Sequence, residues 1–286
     1  MLLANQLQFK GPAMLPEIAV LMPVYNPTGE EISRTLDGLR AQDEPYHLYL
    51  VDDGSKNRPN YSDLLKDLPH TLIELPANRG ITGALNAGLE AILAKPFKYI
   101  ARIDCGDVPL EQRLGKQRRY LEMNPDISIV GADEKNLLPH LQIEFIDRHP
   151  DDWKMLARKL QYNMPVSHPA LMIRPELFRS IGLYSDAYDA AEDYELCRRA
   201  DSAGHKFGNV PEILQIKIEG ENSISQRKRT RQMISRLQIQ WKYFRLTNIH
   251  SVIGTGRTAL QLLLPASLVY RIKMIWKNGL SKAASG

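Results

Sequence analysis

Apolar residues recur in short unbroken runs, each followed by a stretch with helical spacing, four times before residue 125. The runs at 18–22, 48–51, 71–75 and 99–103 are too short for helices and end at turn-forming residues, which predicts buried strands. After the first, Ile32, Leu36 and Leu39 share one face of a helix over 30–41. A short helix over 61–68, one over 81–93 opened by Gly80, and one over 111–122 follow the other three strands. Strand and helix in alternation predict an α/β fold, a doubly wound, mostly parallel sheet flanked by helices. Past Pro125 the regularity fades. The pattern there predicts strands at 128–131, 170–173 and 211–218, with helices over 151–161 and 191–202, the last closed by Gly204. Residues 136–150 read as a loop with no code for ligand specificity.

No internal repeat or low-complexity linker interrupts this stretch. The expected organisation is a loose leader over 1–16, one domain over 17–222 and a basic amphipathic helical tail over 223–286. The tail differs in kind. Ile234, Leu237, Trp241 and Phe244 lie in a basic helical stretch over 225–246, and a charge-free stretch over 258–270 is interrupted by Pro265 and flanked by Arg257 and Arg271. That second stretch is shorter than the roughly 18–20 apolar residues needed to span a bilayer. Apolar residues among Arg, Lys and Trp fit helices lying in a membrane interface, and fit equally the description of amphipathic helices packed on the body or on another subunit.

Charge sharpens this division. The chain of 286 residues has a net charge of +4, but from Asn222 onward there are 12 Lys or Arg and no acid, leaving 25 basic against 33 acidic residues in the rest, a net of −8. A basic tail on an acidic body points to phosphate, in an anionic membrane surface or in nucleic acid. Nucleic acid is disfavoured because the aromatic residues are not interleaved with the basic ones as a stacking platform. Two cysteines, Cys105 and Cys197, make no disulfide framework. No segment has the order of a signal peptide, so the expected location is cytoplasmic, peripheral on the inner face of the plasma membrane. There is no Cys/His cluster at zinc spacing and no Gly-x-x-x-x-Gly-Lys phosphate loop. The missing basic, Gly-rich loop also argues against a nucleotidyltransferase.

Candidate chemistry gathers where strands end. Pro23-Val24-Tyr25-Asn26 follows the first strand, Asp52-Asp53-Gly54-Ser55 the second, Asn78-Arg79-Gly80 the third, and Asp104-Cys105-Gly106-Asp107 the fourth. The carboxyl edge of a parallel sheet is where open α/β folds bind ligands. Two carboxylates near Asp104 suit a divalent cation, or hydroxyl and ammonium groups of a ligand. Across such an edge a nucleotide would have its base held by an aromatic ring and a carboxylate, its ribose by Asp52 or Asp53, and its diphosphate by a cation near Asp104. Any one of these clusters alone is an ordinary turn; four in register are a site.

Those residues carry a resemblance. The chain resembles the inverting glycosyltransferases of family 2, which have the GT-A fold, from Ile18 to about Ser225. The similarity runs through Met22-Pro-Val-Tyr-Asn26, Val51-Asp-Asp-Gly-Ser55, Asn78-Arg-Gly80, Asn86-Ala-Gly88, Ala101-Arg-Ile-Asp104, Arg113-Leu114, His168-Pro169, Gly182-Leu-Tyr184 and Ala191-Glu-Asp-Tyr194. It implies nucleoside contacts from Pro23, Tyr25, Asn26, Asp52 and Asp53. It implies a sugar-nucleotide pocket lined by Arg79, Gly80, Asn86, Arg102, Asp104 and Gly106, with Asp193 as the catalytic base. On sequence position alone Asp193 is more readily a helix-capping or dipole-stabilising acid, and His168 is as readily a core histidine as an acceptor contact.

Two departures bear on chemistry. The family pattern Asp-x-Asp at the metal site is Asp104-Cys105-Gly106 here, leaving Asp107 as the other candidate ligand of Mg²⁺ or Mn²⁺. The Tyr-Arg-x-His run near the domain end is Ile216-Lys-Ile-Glu219, so Lys217 or the 227–229 basic cluster would meet the diphosphate. The implied reaction moves a sugar from a nucleotide donor, UDP-linked, onto a glycan or polyprenyl-diphosphate-linked acceptor in bacterial polysaccharide biosynthesis. The competing expectation is a catalytically impaired nucleotide-sugar-binding protein at the membrane, because Gly106 removes a metal ligand.

Overall fold

The computed structural model describes residues 15–188, 190–220 and 229–263. Strands β1 (Ile18–Val24), β2 (Tyr46–Asp52), β3 (His70–Glu74) and β4 (Tyr99–Arg102) form a parallel block in the order β3-β2-β1-β4. All seven residues of β1 are buried, as expected of a strand covered on both faces. The two-residue period of the strand divides them. Ile18, Val20, Met22 and Val24 pack with Ile32, Leu36 and Leu39 of α1 (Gly29–Arg40). Ala19 and Leu21 face Ala84, Leu85, Leu89 and Ile92 of α3 (Gly80–Leu93) on the other side. One helix on each face makes the sheet doubly wound. Gly88 permits the close approach of α3, since a Cβ there would lie 2.3 Å from Leu21 Cδ1. Helix α1 begins at a capping box: the Thr28 hydroxyl accepts from the Glu31 amide, and the Glu31 carboxylate accepts from the Thr28 amide. The helix α2 (Tyr61–Leu65) is shorter than the expected 61–68.

Beyond α4 (Arg113–Met123) the sheet becomes mixed. The long β6 (Ile127–Leu138) pairs parallel with β9 (Lys206–Ile218) and antiparallel with β8 (Met172–Ile173), which joins it to β4. The parallel β1/β2 and β6/β9 ladders are its longest, so the sheet is mostly parallel. Three elements lay outside the sequence expectation. Strand β5 (Val108–Pro109) pairs with β9, strand β7 (Ile143–Asp147) pairs with β6, and α6 (Pro175–Ile181) follows β8. The expected loop over 136–150 is therefore largely the hairpin between β6 and β7. Pro211 sits where the β6/β9 register jumps from Ala132↔Val210 to Asp133↔Ile213, an irregularity where a residue lacking an amide hydrogen is tolerated.

Helices α5 (Trp153–Leu160) and α7 (Glu192–Ser202) cover the face shared with α3. Two further helices, α8 (Arg229–Lys242) and α9 (Ile249–Leu263), come from the basic segment. The first is part of the body: Ile239 is fully buried in the core, Gln240 donates to the Gln161 carbonyl, and Arg236 bonds Asn163 and stacks on Tyr194 at 5.3 Å. Of the expected tail, residues 264–286, including Pro265 and Arg271, lie outside the described residues, as do 1–14 of the expected leader. No described helix is long and apolar enough to cross a membrane.

Candidate active site

Pairing register brings the strand-end clusters to one edge. Val24 is opposite Asp52, Asp52 is opposite Glu74, and Arg102 is opposite Leu21. Their loops are then fastened to each other. The buried Asp52 carboxylate accepts from the Ser55 amide at 2.8 Å and the Tyr61 hydroxyl at 2.9 Å, and Arg58 Nε lies 3.3 Å away. Asn26, with φ of 46°, donates its amide to Ser55 Oγ, and its side-chain oxygen accepts from the amides of Lys56 and Asn57. Asp53 accepts from the Arg79 amide at 2.7 Å, just before Gly80 opens α3 with φ of +75°. Burial lifts the Asp53 carboxyl above its ordinary range against the pull of the Arg79 and Gly80 amides. Pro23 is buried within β1, whereas Tyr25, 50% exposed, presents a free ring face at this edge. Asp52 and Asn26 thus shape the loops and have their oxygens engaged; Tyr25 and Arg79 are exposed.

The loop after β4 holds the second cluster. Arg102 is buried, with one terminal nitrogen 2.7 Å from Asp104 Oδ1, while its Nε and other terminal nitrogen make no hydrogen bond. A buried guanidinium with two donors left over by the protein has the chemistry to bind an anion. Thr35 ties the loop to α1, its hydroxyl accepting from the Gly106 amide and donating to the Asp107 carbonyl. Beneath lies the fully buried Arg113, whose guanidinium donates to the Arg102 carbonyl, Gln117 and Gln215. It fixes the backbone that carries Arg102. Burial pushes the Cys105 thiol up to about 12, so it is an inert small residue.

The expected cation ligands are not assembled here. Gly106 has φ of +99°, a conformation side-chain-bearing residues rarely adopt. A Cβ would also point at the Glu31 side chain, 3.7 Å from its Cγ. Asp107 turns inward: its oxygens accept from Gln215 Nε2 at 3.0 Å and the Ile218 amide at 3.3 Å, and burial beside Asp104 pushes it up to about 8. Asp104 is paired with Arg102. Among the described residues no group of three Asp, Glu, His or Cys side chains converges to hold a metal. The Asp104–Asp107 pair therefore does not fit the two-carboxylate cation site expected from sequence. Positive charge comes instead from Arg102 and from Lys217, which feels the carboxylates of Glu219, Glu134, Asp107 and Asp104. Arg227 and Lys228 of the basic cluster lie outside the described residues.

The third cluster arrives on α7. Glu192 and Asp193 open this helix, where unpaired backbone N–H groups favour negative charge. Glu192 is buried, and burial together with its neighbour Asp193 pushes it up to about 7. Burial also raises Asp193, opposed by the Tyr194 amide that it accepts from at 2.6 Å and by the fields of Arg236 and Arg102. Arg102 thus lies within electrostatic reach of Asp104 on one side and of Glu192 and Asp193 on the other. The segment entering α7 is held by Asn86, whose side-chain amide exchanges two hydrogen bonds with the Tyr184 backbone. Asn86 is a clamp on that segment, with its donor and its acceptor both engaged there. His168, buried and held neutral, meets the Tyr184 hydroxyl at 2.8 Å, the core role rather than an acceptor contact. The sequence did not reveal Arg236, whose charge bears on Asp193 from a helix more than forty residues away. Its one sequence signal is its place among the apolar residues of α8.

The arrangement offers an exposed aromatic, a buried cation with free donors and a carboxylate of raised basicity along one sheet edge. Comparison with known proteins gives this a family. A sequence profile described as Glycosyl transferase family 2 matches residues 19–182. The amylovoran biosynthesis glycosyltransferase AmsE of Erwinia amylovora is 28% identical over 229 residues, 77% of this chain and 83% of that protein. Among solved structures, S. aureus TarS 1-349 in complex with UDP-GlcNAc superposes with a TM-score of 0.65 at 14% identity, over 86% of this chain and 71% of TarS. The mannosyltransferase PcManGT of Pyrobaculum calidifontis, solved with GDP-Man and Mn²⁺, gives 0.59 at 18% identity over 92% and 81%. These folds are GT-A, and the profile spans the three fastened loops and the Arg102 cluster: the chain belongs to glycosyl transferase family 2.

Proposed function

We propose that this chain transfers a sugar from a UDP-linked donor, with inversion, onto a hydroxyl of a glycan or polyprenyl-diphosphate-linked glycan at the inner face of the plasma membrane. The observation that carries the reading is the buried Arg102 guanidinium, with two unused donors, between Asp104 and the Glu192–Asp193 pair. The polysaccharide role draws on the name of AmsE, and the UDP donor on the ligand of TarS.

In this reading Tyr25 stacks on the base, and Asp53 with the 79–80 backbone holds the ribose and sugar side. Arg102 and Lys217 meet the diphosphate. The acceptor oxygen attacks the anomeric carbon opposite the leaving group, and its proton passes to Asp193. The bond from that carbon to the diphosphate oxygen breaks, and its electron pair leaves with the diphosphate, where fixed positive charge stabilises it. Burial raises the basicity of Asp193, which suits a base that must be ionised yet take a proton.

The test pairs binding with turnover. Thermal unfolding against a panel of nucleotide sugars identifies the donor, since a ligand that binds the native state raises Tm. Asp193→Asn then keeps that rise and loses transfer. Binding without turnover of any donor by the unsubstituted chain would instead make it a sugar-nucleotide-binding protein.

A further inference from the structure

Helix α9 is amphipathic in the inverted sense. At about 100° per residue, Ile249, Val252, Ile253, Leu260 and Leu263 fall within one arc of about 100°, and this arc faces solvent, with exposures of 61, 37, 56, 56 and 82%. The opposite arc, which packs on the body, is Ser251, Gly254 and Thr258, all buried. Gly254 lies so close to the Gln161 carbonyl that a Cβ would stand 2.3 Å from its oxygen. The small, weakly polar face is inside and the large aliphatic face is outside. Leu246, in the turn before the helix, adds a further side chain at 81% exposure. A helix stabilised only by its own chain would put the aliphatic face inward, so this one is built for a second apolar phase.

Charge identifies that phase. Arg245 precedes the helix and Arg257 lies next to the stripe on the helical wheel, its guanidinium 6.0 Å from the Tyr162 ring, and no acid occurs from residue 222 to the end. The 264–286 segment carries four more cations and no acid, so covering the stripe with it, or with a second copy of α9, sets cation against cation. An anionic bilayer supplies both missing complements, an acyl boundary for the aliphatic side chains and phosphates for the arginines.

We propose that α9 is an interfacial docking helix, lying in the surface of an anionic membrane with the 249/252/253/260/263 stripe in the acyl boundary. This deepens the membrane part of the proposed function by naming its surface, and it locates the acceptor in the same plane.

The test is flotation of the full chain with phosphatidylcholine vesicles, alone or with about one third phosphatidylglycerol, at low and high salt. The chain floats with the anionic vesicles at low salt. The double variant Ile253→Asp/Leu260→Asp, exposed positions outside the active site, binds them at least about tenfold more weakly. Its Tm rise with UDP-sugar is unchanged, which separates failure of this proposal from failure of the donor assignment. It is overturned by no flotation at any anionic fraction, by flotation equal in the double variant, or by a dimer in solution that the double variant breaks without any vesicle binding. Flotation that appears only when 264–286 is removed would make that segment the cover and overturn it as well.

Discussion

The carboxylates that end β2 and those that open α7 have opposite fates. Asp52 is fully buried, yet the Ser55 amide, the Tyr61 hydroxyl and Arg58 answer it, and it holds a loop in shape. Glu192 is buried and Asp193 half-buried; only the Tyr194 amide bonds the Asp193 carboxylate, and desolvation raises both groups. Arg102 repeats the contrast from the cationic side, with unused donors, while Arg113 directly beneath it has all its nitrogens bonded. Satisfied polar groups determine the geometry of this site. In the proposed function the unsatisfied ones carry the chemistry, because leaving a buried polar group unpaired costs about 1–3 kcal/mol unless a ligand supplies the partner.

The sharpest way to break that contrast is to neutralise one acid on each side. Asp193→Asn lowers the transfer rate by about 10²–10⁴ with unchanged Tm, measured by product formation at saturating donor. Asp52→Asn behaves in the reverse way, losing about 1–3 kcal/mol of stability in denaturant titrations. Arg102→Lys, which keeps the charge but loses the forked donors, weakens UDP-sugar binding about 10- to 100-fold by calorimetry. Gly106→Asp restores the family acid in sequence only. It destabilises by about 1–3 kcal/mol and leaves Mn²⁺ affinity unchanged, because the position has φ of +99° and faces Glu31. The smallest effect is chelation: excess EDTA changes donor affinity by less than about threefold, as expected where Asp107 is turned away from the cleft.

The two halves also differ in how much of them the sequence discloses. In the parallel half β1, β2 and β4 are buried on both faces, so Ile18–Val24 and Tyr46–Asp52 stand out as apolar runs, and helix faces such as Ile32/Leu36/Leu39 repeat at regular spacing. In the second half β5 has two residues and β8 two, too few for any period to show. Strand β7 alternates Ile143, Glu144, Phe145 but is only half-buried, and its neighbours read as loop. The site divides in the same way. Strand ends placed Asp52, Asp53 and Asp104 at one edge, as read from sequence. The inward turn of Asp107 depends on Gln215 and Ile218 of a strand about 110 residues away, and the burial of Arg102 depends on what packs over it. Those are tertiary facts with no local signature. The tail is undivided in sequence for a similar reason: no local pattern tells that Ile239 of α8 is core while Ile253 of α9 is 56% exposed.

In the proposed reaction a half-buried, raised carboxylate on α7 takes the acceptor proton, so the pH dependence of transfer reports on that group. A base must be ionised, so the rate falls as pH drops through its folded pKa. Burial raises Asp193, and the pair with Glu192, itself near 7, titrates together. On this mechanism the rate shows an acid limb centred above the ~3.9 of an ordinary aspartate, retained in Glu192→Gln and absent from the residual rate of Asp193→Asn. A rate that stays flat down to pH 4, or a limb that survives in Asp193→Asn, would contradict it.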